Sequence, residues 1–278
     1  MKRIASIQDI SCLGRCSQTV ALPVISAMGV ECAIVPTAVL STHTMFRNFT
    51  CKDLTDQLRP IADHWQAEGF HFDAIYTGYL ASGEQIDAVL DFFQRLGEQD
   101  TLIFVDPAMA DNGKLYPAFD AAFPAQMARV CAKADIIVPN LTEACLMTGT
   151  PYQERYDLAY IQALLQKLCA MGAKKAVLTG VGFCPEELGV MAYDGETGEY
   201  FSYFSQHLPT SYHGTGDLFS ATCVGALMNG STLEEALKIA VDYTVTCIRI
   251  TAEAGHEHYY GVEFERAIPY LLRRMGKL

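Results

Sequence analysis

The chain has 278 residues, half of them apolar, and its 32 acidic against 20 basic side chains give a net charge of −12. That length holds one large or two small domains, and the apolar half supplies a sizeable core and excludes general disorder. The acidic balance argues against a nucleic-acid surface, which needs clustered Lys and Arg; Arg273-Arg274 with Lys277 is the densest basic group and is too small for one.

Ten cysteines are scattered without a C-x-x-C pair or paired histidines at zinc spacing. Several, such as Cys32, Cys145, Cys223 and Cys247, lie in apolar runs where Cys acts as a small hydrophobe. Met1-Lys2-Arg3 leads directly into a strand pattern, and no apolar run is long enough to span a bilayer. The expectation is a reduced, cytoplasmic protein with no membrane or nucleic-acid partner.

In chain order, residues 3–7 predict a buried strand and 8–16 a polar loop feeding a helix through about Met28. Residues 31–36 give the next strand, so the chain opens with a β-α-β unit suited to a parallel pair. Residues 40–50 read as a loop carrying His43, Thr44 and Arg47, followed by a helix over 53–67. A strand over 72–77 ends in Gly78-Tyr79; Ser82 with Gln85 has the spacing of a capping box, and Ile86, Val89, Leu90, Phe93 and Leu96 mark the buried face of its helix. A strand over 101–105 stops at Asp106-Pro107. Then come a helix over 119–131, a strand over 135–138 stopping at Pro139-Asn140, a short helix over 142–147, a helix over 157–171 and a strand over 176–179 before Gly180.

The rhythm then changes. Residues 188–193 and 199–205 flank Asp194-Gly195-Glu196-Thr197-Gly198 and predict a β-hairpin. The Gly214–Asp217 turn follows, opening a helix with an apolar pattern over 218–228, and then helices over 233–254 and 263–275. With no repeat and no long linker, residues 1–278 read as a single α/β domain: a doubly wound, mostly parallel sheet flanked by helices, with an antiparallel hairpin near one edge.

Ligands of such sheets bind beyond the carboxyl ends of the strands. The residues gathered there are Asp9, Ser41–Thr44, Gly78-Tyr79, Asp106, Asn140 with Glu143, Thr179-Gly180 and Gly214-Thr215-Gly216-Asp217. In the last group, two glycines around a threonine at a helix start leave unpaired amides and the positive end of the helix dipole facing one small volume. That place favours phosphate. A carboxylate beside it is consistent with phosphate in transfer: amides hold the developing charge while Asp217 takes a proton from the incoming hydroxyl. Thr215 or Asp217 as a plain helix N-cap is the alternative. No Walker A loop occurs.

Ser6-Ile7-Gln8, Ser41-Thr42-His43-Thr44, Thr77-Gly78-Tyr79, Asp106-Pro107 with Asp111, Pro139-Asn140 with Glu143, and Gly214-Thr215-Gly216-Asp217 occur in an order that resembles the pyridoxal kinase branch of the ribokinase-like kinases, over nearly the whole chain. The resemblance implies ATP-dependent phosphorylation of the 5′-hydroxymethyl group of pyridoxal, pyridoxine or pyridoxamine. Asp217 would be the base and Gly214, Thr215 and Gly216 the anion hole. Asn140 and Glu143 would organise Mg²⁺ and the phosphates, with Asp106 near them through water and a monovalent-cation requirement left open. Asp9, Thr44 and Tyr79 would contact the substrate, Tyr79 by packing on its ring, and Thr179 and Gly180 would lie along the nucleotide. A homodimer is implied only by the resemblance.

The chain departs from the family pattern where a ring-contacting Ser would follow Ser-Ile-Gln: the position holds Asp9, which leads to the expectation that Asp9 sets the choice of vitamer. Two other readings stand beside the kinase: a hydroxymethylpyrimidine kinase of the same fold, and a non-catalytic vitamin-binding protein. His256-Glu257-His258 reads as a solvated turn and Tyr259-Tyr260 as core or interface; Cys12 and Cys16 flank the substrate loop, with a reactive thiol near an aldehyde as one reading and an inert apolar role as the preferred one for Cys16.

Overall fold

The computed structural model describes residues 1–255 and 260–278. His256-Glu257-His258 and Tyr259 lie outside the described residues. Among those described, nine strands form one sheet in the order β11-β10-β9-β8-β5-β4-β1-β2-β3. Its parallel centre is β1 (Arg3–Ser11), β2 (Glu31–Leu40), β4 (Ala74–Thr77), β5 (Leu102–Val105), β8 (Ile136–Ile137) and β9 (Lys175–Val181). The predicted hairpin, β10 (Glu187–Asp194) with β11 (Tyr200–Gln206), closes one edge antiparallel. This is the expected architecture.

Alternation along the strands sends successive side chains to opposite helical layers. Ala5, Ile7, Ile75, Ile103 and Val105 pack with α2 (Thr55–Ala67), α3 (Gly83–Leu96), α4 (Phe123–Cys131), α5 (Leu141–Thr148) and α6 (Leu158–Ala170). Ile4, Ala74, Tyr76 and Phe104 face α1 (Gln18–Ala27), α7 (Thr215–Met228), α8 (Leu233–Ala254) and α9 (Phe264–Arg274). Strand order reverses at β1, which has β2 on one side and β4 on the other. The crevice beyond their carboxyl ends is the binding place of doubly wound sheets.

Several boundaries differ from the expectation, each for a physical reason. Strand β1 continues to Ser11 because Ile10 and Ser11 pair with Val39 and Leu40 beyond a register shift at Asp9. Pro36, opposite Gln8, has no amide to give the ladder, which suits a bulge there. The edge strand β3 (Cys51–Asp53) pairs antiparallel with β2; wholly exposed, it carries no apolar signal. A two-residue hairpin, β6 (Ala110–Asp111) with β7 (Lys114–Leu115), is held by backbone bonds that no side-chain period announces. Helix α4 starts at Phe123, four residues later than expected, with Pro124 in its first turn. Ser82 caps α3 as expected, accepting from the Gln85 N–H at 3.2 Å, but the Gln85 side chain accepts from Ala81 N–H instead of closing a box on Ser82. Leu90 is only half-buried, and Phe92 takes a place on the inner face.

All ten cysteines are free, with Cys12, Cys51 and Cys184 exposed and Cys16, Cys131, Cys145, Cys223 and Cys247 buried. No described helix is long and apolar enough to cross a membrane.

Candidate active site

Helix α7 begins without a lid. Gly214 is its N-cap at φ 79°, a left-handed conformation natural to glycine, and no side chain bonds the first amides. The first helical bond closes from Leu218 N–H to the Gly214 carbonyl at 3.0 Å, so the amides before it remain for an outside acceptor. A Cβ on Gly214 would collide with the Arg15 carbonyl oxygen, whereas nothing lies within 4 Å of one on Gly216. The turn is thus pressed from behind by the loop before α1 and open in front. Thr215 keeps its hydroxyl on the Tyr212 carbonyl at 3.2 Å.

Acidic groups gather around that opening. Asp217, in the first turn of α7 and half-buried, has its carboxyl pushed up to about 6 by burial, with the Ser17 N–H offsetting part of the rise. Asp106, at the end of β5, accepts from Ser220 Oγ at 2.7 Å; burial first, then the charge of Asp217, push it up to about 7. Glu143 rises well above the carboxylate range through burial and then the charge of Asp106. Asp9 goes to about 6 through burial and Asp217, although Ser17 Oγ donates to it at 2.7 Å. The charges raising Asp9, Asp106 and Glu143 are all carboxylates. Such a cluster suits a cationic ligand and groups that exchange protons.

The start of α5 is built oppositely. Asn140 accepts from Glu143 N–H at 3.0 Å while Glu143 Oε2 accepts from Asn140 N–H at 2.9 Å, a complete capping box. Glu143 Oε1 also accepts from Met109 N–H at 3.0 Å and Ala110 N–H at 3.4 Å, and Asn140 Nδ2 donates to the Ala110 carbonyl at 2.8 Å. These bonds bind the β6–β7 hairpin onto α5. Thr179 continues the same rim: it bridges to Asn140, and its N–H donates to the Pro139 carbonyl at 3.0 Å. Gly180, next to it at φ 69°, has open space where a Cβ would stand.

Asp9, Asp106, Asn140, Glu143, Thr179, Gly180 and Asp217 therefore line one side of the sheet's carboxyl end. Tyr79 stands beside them, its ring 5.4 Å from that of Phe119 and its hydroxyl pushed up to about 12 by burial and then the charge of Asp9. Thr44 is exposed on the loop after β2; the inward residue of that loop is His43, stacked 4.3 Å from the ring of His213. Sequence reasoning missed Ser220 and Ser17. Ser220 could have been found, since it stands one helical turn beyond Asp217 and so on the same face. Ser17 gives no such signal. Tyr76, buried below the cluster and pushed far up by burial and by Asp106 and Asp217, lies in the strand expected over 72–77 with no role foreseen for it.

No group of three or more His, Cys, Asp or Glu side chains among the described residues converges to hold a metal directly. Mg²⁺ nonetheless fits the donor chemistry, because it retains waters and completes its shell with phosphate oxygens. Both Glu143 oxygens already accept amides, so contact from Glu143 would run through water.

A Bacteroides thetaiotaomicron protein described as a phosphomethylpyrimidine kinase, crystallised in its orthorhombic form with pyridoxal, superposes with a TM-score of 0.91 and 37% identity over 97% of this chain and 95% of its own. Pyridoxal kinase from Lactobacillus plantarum superposes with a TM-score of 0.90 and 32% identity over 98% and 97%. Pyridoxine kinase of Bacillus subtilis is 32% identical over 66% of each chain, so the matched stretch spans just under two thirds of that kinase's length. The sequence profile of the phosphomethylpyrimidine kinase family matches residues 21–261, and the chain belongs to that family.

Proposed function

We propose that this protein transfers the γ-phosphoryl group of ATP to the 5′-hydroxymethyl group of pyridoxal, pyridoxine or pyridoxamine, a vitamin B6 salvage reaction. The observation that carries the reading is the uncapped start of α7 with a proton-accepting carboxylate, Asp217, in the same turn. The free amides of Thr215, Gly216 and Asp217 stabilise charge on the transferred group. Asp217 takes the hydroxyl proton as the alcohol oxygen bonds to the γ-phosphorus; the bond to the β-bridging oxygen breaks, and ADP leaves with that electron pair. With its carboxyl near 6, Asp217 is mostly ionised at neutral pH yet basic enough to accept the proton.

Asp106 and the Asn140–Glu143 turn would hold Mg²⁺ through water, and the ion would neutralise phosphate charge. Thr179 and Gly180 lie along the nucleotide, with open space over Gly180, and Tyr79 offers its ring to the substrate's. Thr44 reaches substrate only if its loop folds inward on binding. We take residues 1–278 as one cytoplasmic unit that pairs as a homodimer; a single calorimetric transition and a light-scattering mass test those points.

The family's name and the Bacteroides relative's description favour a second reading, hydroxymethylpyrimidine as substrate. Purified protein, ATP and Mg²⁺ are assayed with each of the three vitamers and with hydroxymethylpyrimidine. Pyridoxal 5′-phosphate should form, visible by its absorbance. Turnover of the pyrimidine alone would overturn the assignment, and no turnover of any of the four would favour a binding protein.

A further inference from the structure

Asp9 does not present a free carboxylate. Its Oδ1 accepts from Ser17 Oγ at 2.7 Å and its Oδ2 lies 3.4 Å from Ser11 Oγ, and all three residues are buried. The register shift of the β1–β2 ladder falls on Asp9 itself. A bulge at the end of a strand re-aims a side chain, and here it turns Asp9 toward the loop before α1.

At the other end of that hydrogen bond, Ser17 is in two respects a poor helix start. It is the N-cap of α1, yet its hydroxyl makes no capping bond. Its backbone stands at φ 48° and ψ −131°, a region that L residues rarely occupy. Local preference would choose neither, and such concentrations of strain gather at functional sites. The loop that ends in Ser17 packs on the start of α7, where a Cβ on Gly214 would meet the Arg15 carbonyl oxygen and the Cα of Cys16; with its hydroxyl tied to Asp9, Ser17 has its N–H left for the Asp217 carboxyl. The same loop presses its Arg15 carbonyl against Gly214, and Arg15 is itself fixed by Glu265 at 2.9 Å and by the Tyr260 carbonyl.

We infer that Asp9 and Ser17 form a positioning pair: Asp9 holds the Ser17 hydroxyl so that the Ser17 amide orients Asp217 beside the α7 amides. This rests on the reading of Asp217 as the base. It also moves Asp9 from the ring contact expected from its sequence position to a residue acting through Ser17 and Asp217. No bond is made or broken at Asp9; its contribution is geometric.

The test measures kcat and KM for ATP and pyridoxal in Asp9→Ala, Ser17→Ala, the double variant and Asp9→Asn. Each single alanine variant should lower kcat by about tenfold while KM for ATP stays within about twofold, since the lost interaction orients the reacting carboxylate. The double variant should be no slower than the worse single, because both remove one link. Asn keeps an oxygen acceptor for the Ser17 hydroxyl, so Asp9→Asn should recover most of the kcat lost in Asp9→Ala. Multiplicative losses in the double variant, an unchanged kcat in Ser17→Ala, or a change confined to vitamer ranking would each overturn the pair. If Asp9→Ala does not fold, Ser17→Ala and Asp9→Asn decide by the same criteria. Asp217→Asn separates the base assignment from the positioning pair. If it stays active, the base assignment falls with everything built on it; if it is inactive while Ser17→Ala is normal, only the positioning pair falls.

Discussion

The N-termini of α5 and α7 stand on the same rim of the sheet and solve the same problem in opposite ways. Helix α5 closes its first turn with its own side chains, Asn140 and Glu143, and fastens a neighbouring hairpin in the process. Helix α7 leaves its turn open, with glycine at the cap and open space over Gly216. Satisfied amides stabilise the protein alone, whereas unsatisfied ones stabilise it only with a ligand bound. The difference separates a turn that builds the site from a turn that works in it.

The sharpest way to test that division is Asp217→Asn, which should lower kcat by roughly 10²–10⁴-fold with thermal stability at neutral pH kept or slightly raised, because Asn accepts no proton and removes a costly charge from the cluster. Steady-state kinetics beside a melting curve shows both halves. Next in size, Glu143→Ala should lose about 2–4 kcal/mol of stability, because three amides lose their buried acceptor. Denaturant unfolding measures that loss. A Mg²⁺ titration of its residual activity then tells whether Glu143 also serves the metal; an unchanged midpoint would make it a cap alone. Gly216→Val should leave stability within about 1 kcal/mol and weaken nucleotide binding about tenfold, by calorimetric titration, since its side chain would stand where phosphate approaches. Gly214→Val should instead unfold the turn, because the Arg15 carbonyl occupies that space.

The smallest effect is pH dependence of the ligand-free protein. Asp106 near 7, with Asp9 and Asp217 near 6, lies above the unfolded carboxylate range. Groups with raised folded values contribute stability that is full at low pH and lost as pH rises through those values. The melting temperature should therefore fall as pH rises from about 4, where the unfolded carboxyls ionise, to about 7, where Asp106 has followed in the folded protein. Asp106→Asn should flatten the slope, while the repulsion of the net negative surface is common to both proteins and drops out of the comparison.

Much of this was legible beforehand. The strand–helix alternation placed the parallel sheet, the hairpin after Thr179 and the helix over 233–254, because strands covered on both faces read as short apolar runs and helices as a 3.6-residue apolar period. Strand ends identified Asp106, Asn140, Glu143 and Asp217 as neighbours in space. What stayed hidden depends on backbone geometry and on distant pairing. The extension of β1 past Asp9 follows from a bulge opposite Pro36, the β6–β7 hairpin from amides bound to Glu143, and the Ser17 contact from a dihedral that no residue type advertises.

The free cysteines have a use that the chemistry of the site does not supply. Burial pushes the thiols of Cys16, Cys131, Cys223 and Cys247 far above their ordinary range, so an alkylating reagent meets them only when their surroundings open. Cys16 reports on the loop against Gly214, Cys131 on the end of α4, Cys223 on α7 and Cys247 on α8. Labelling followed by mass spectrometry, with and without nucleotide, would chart regional opening across both helical layers without a single substitution.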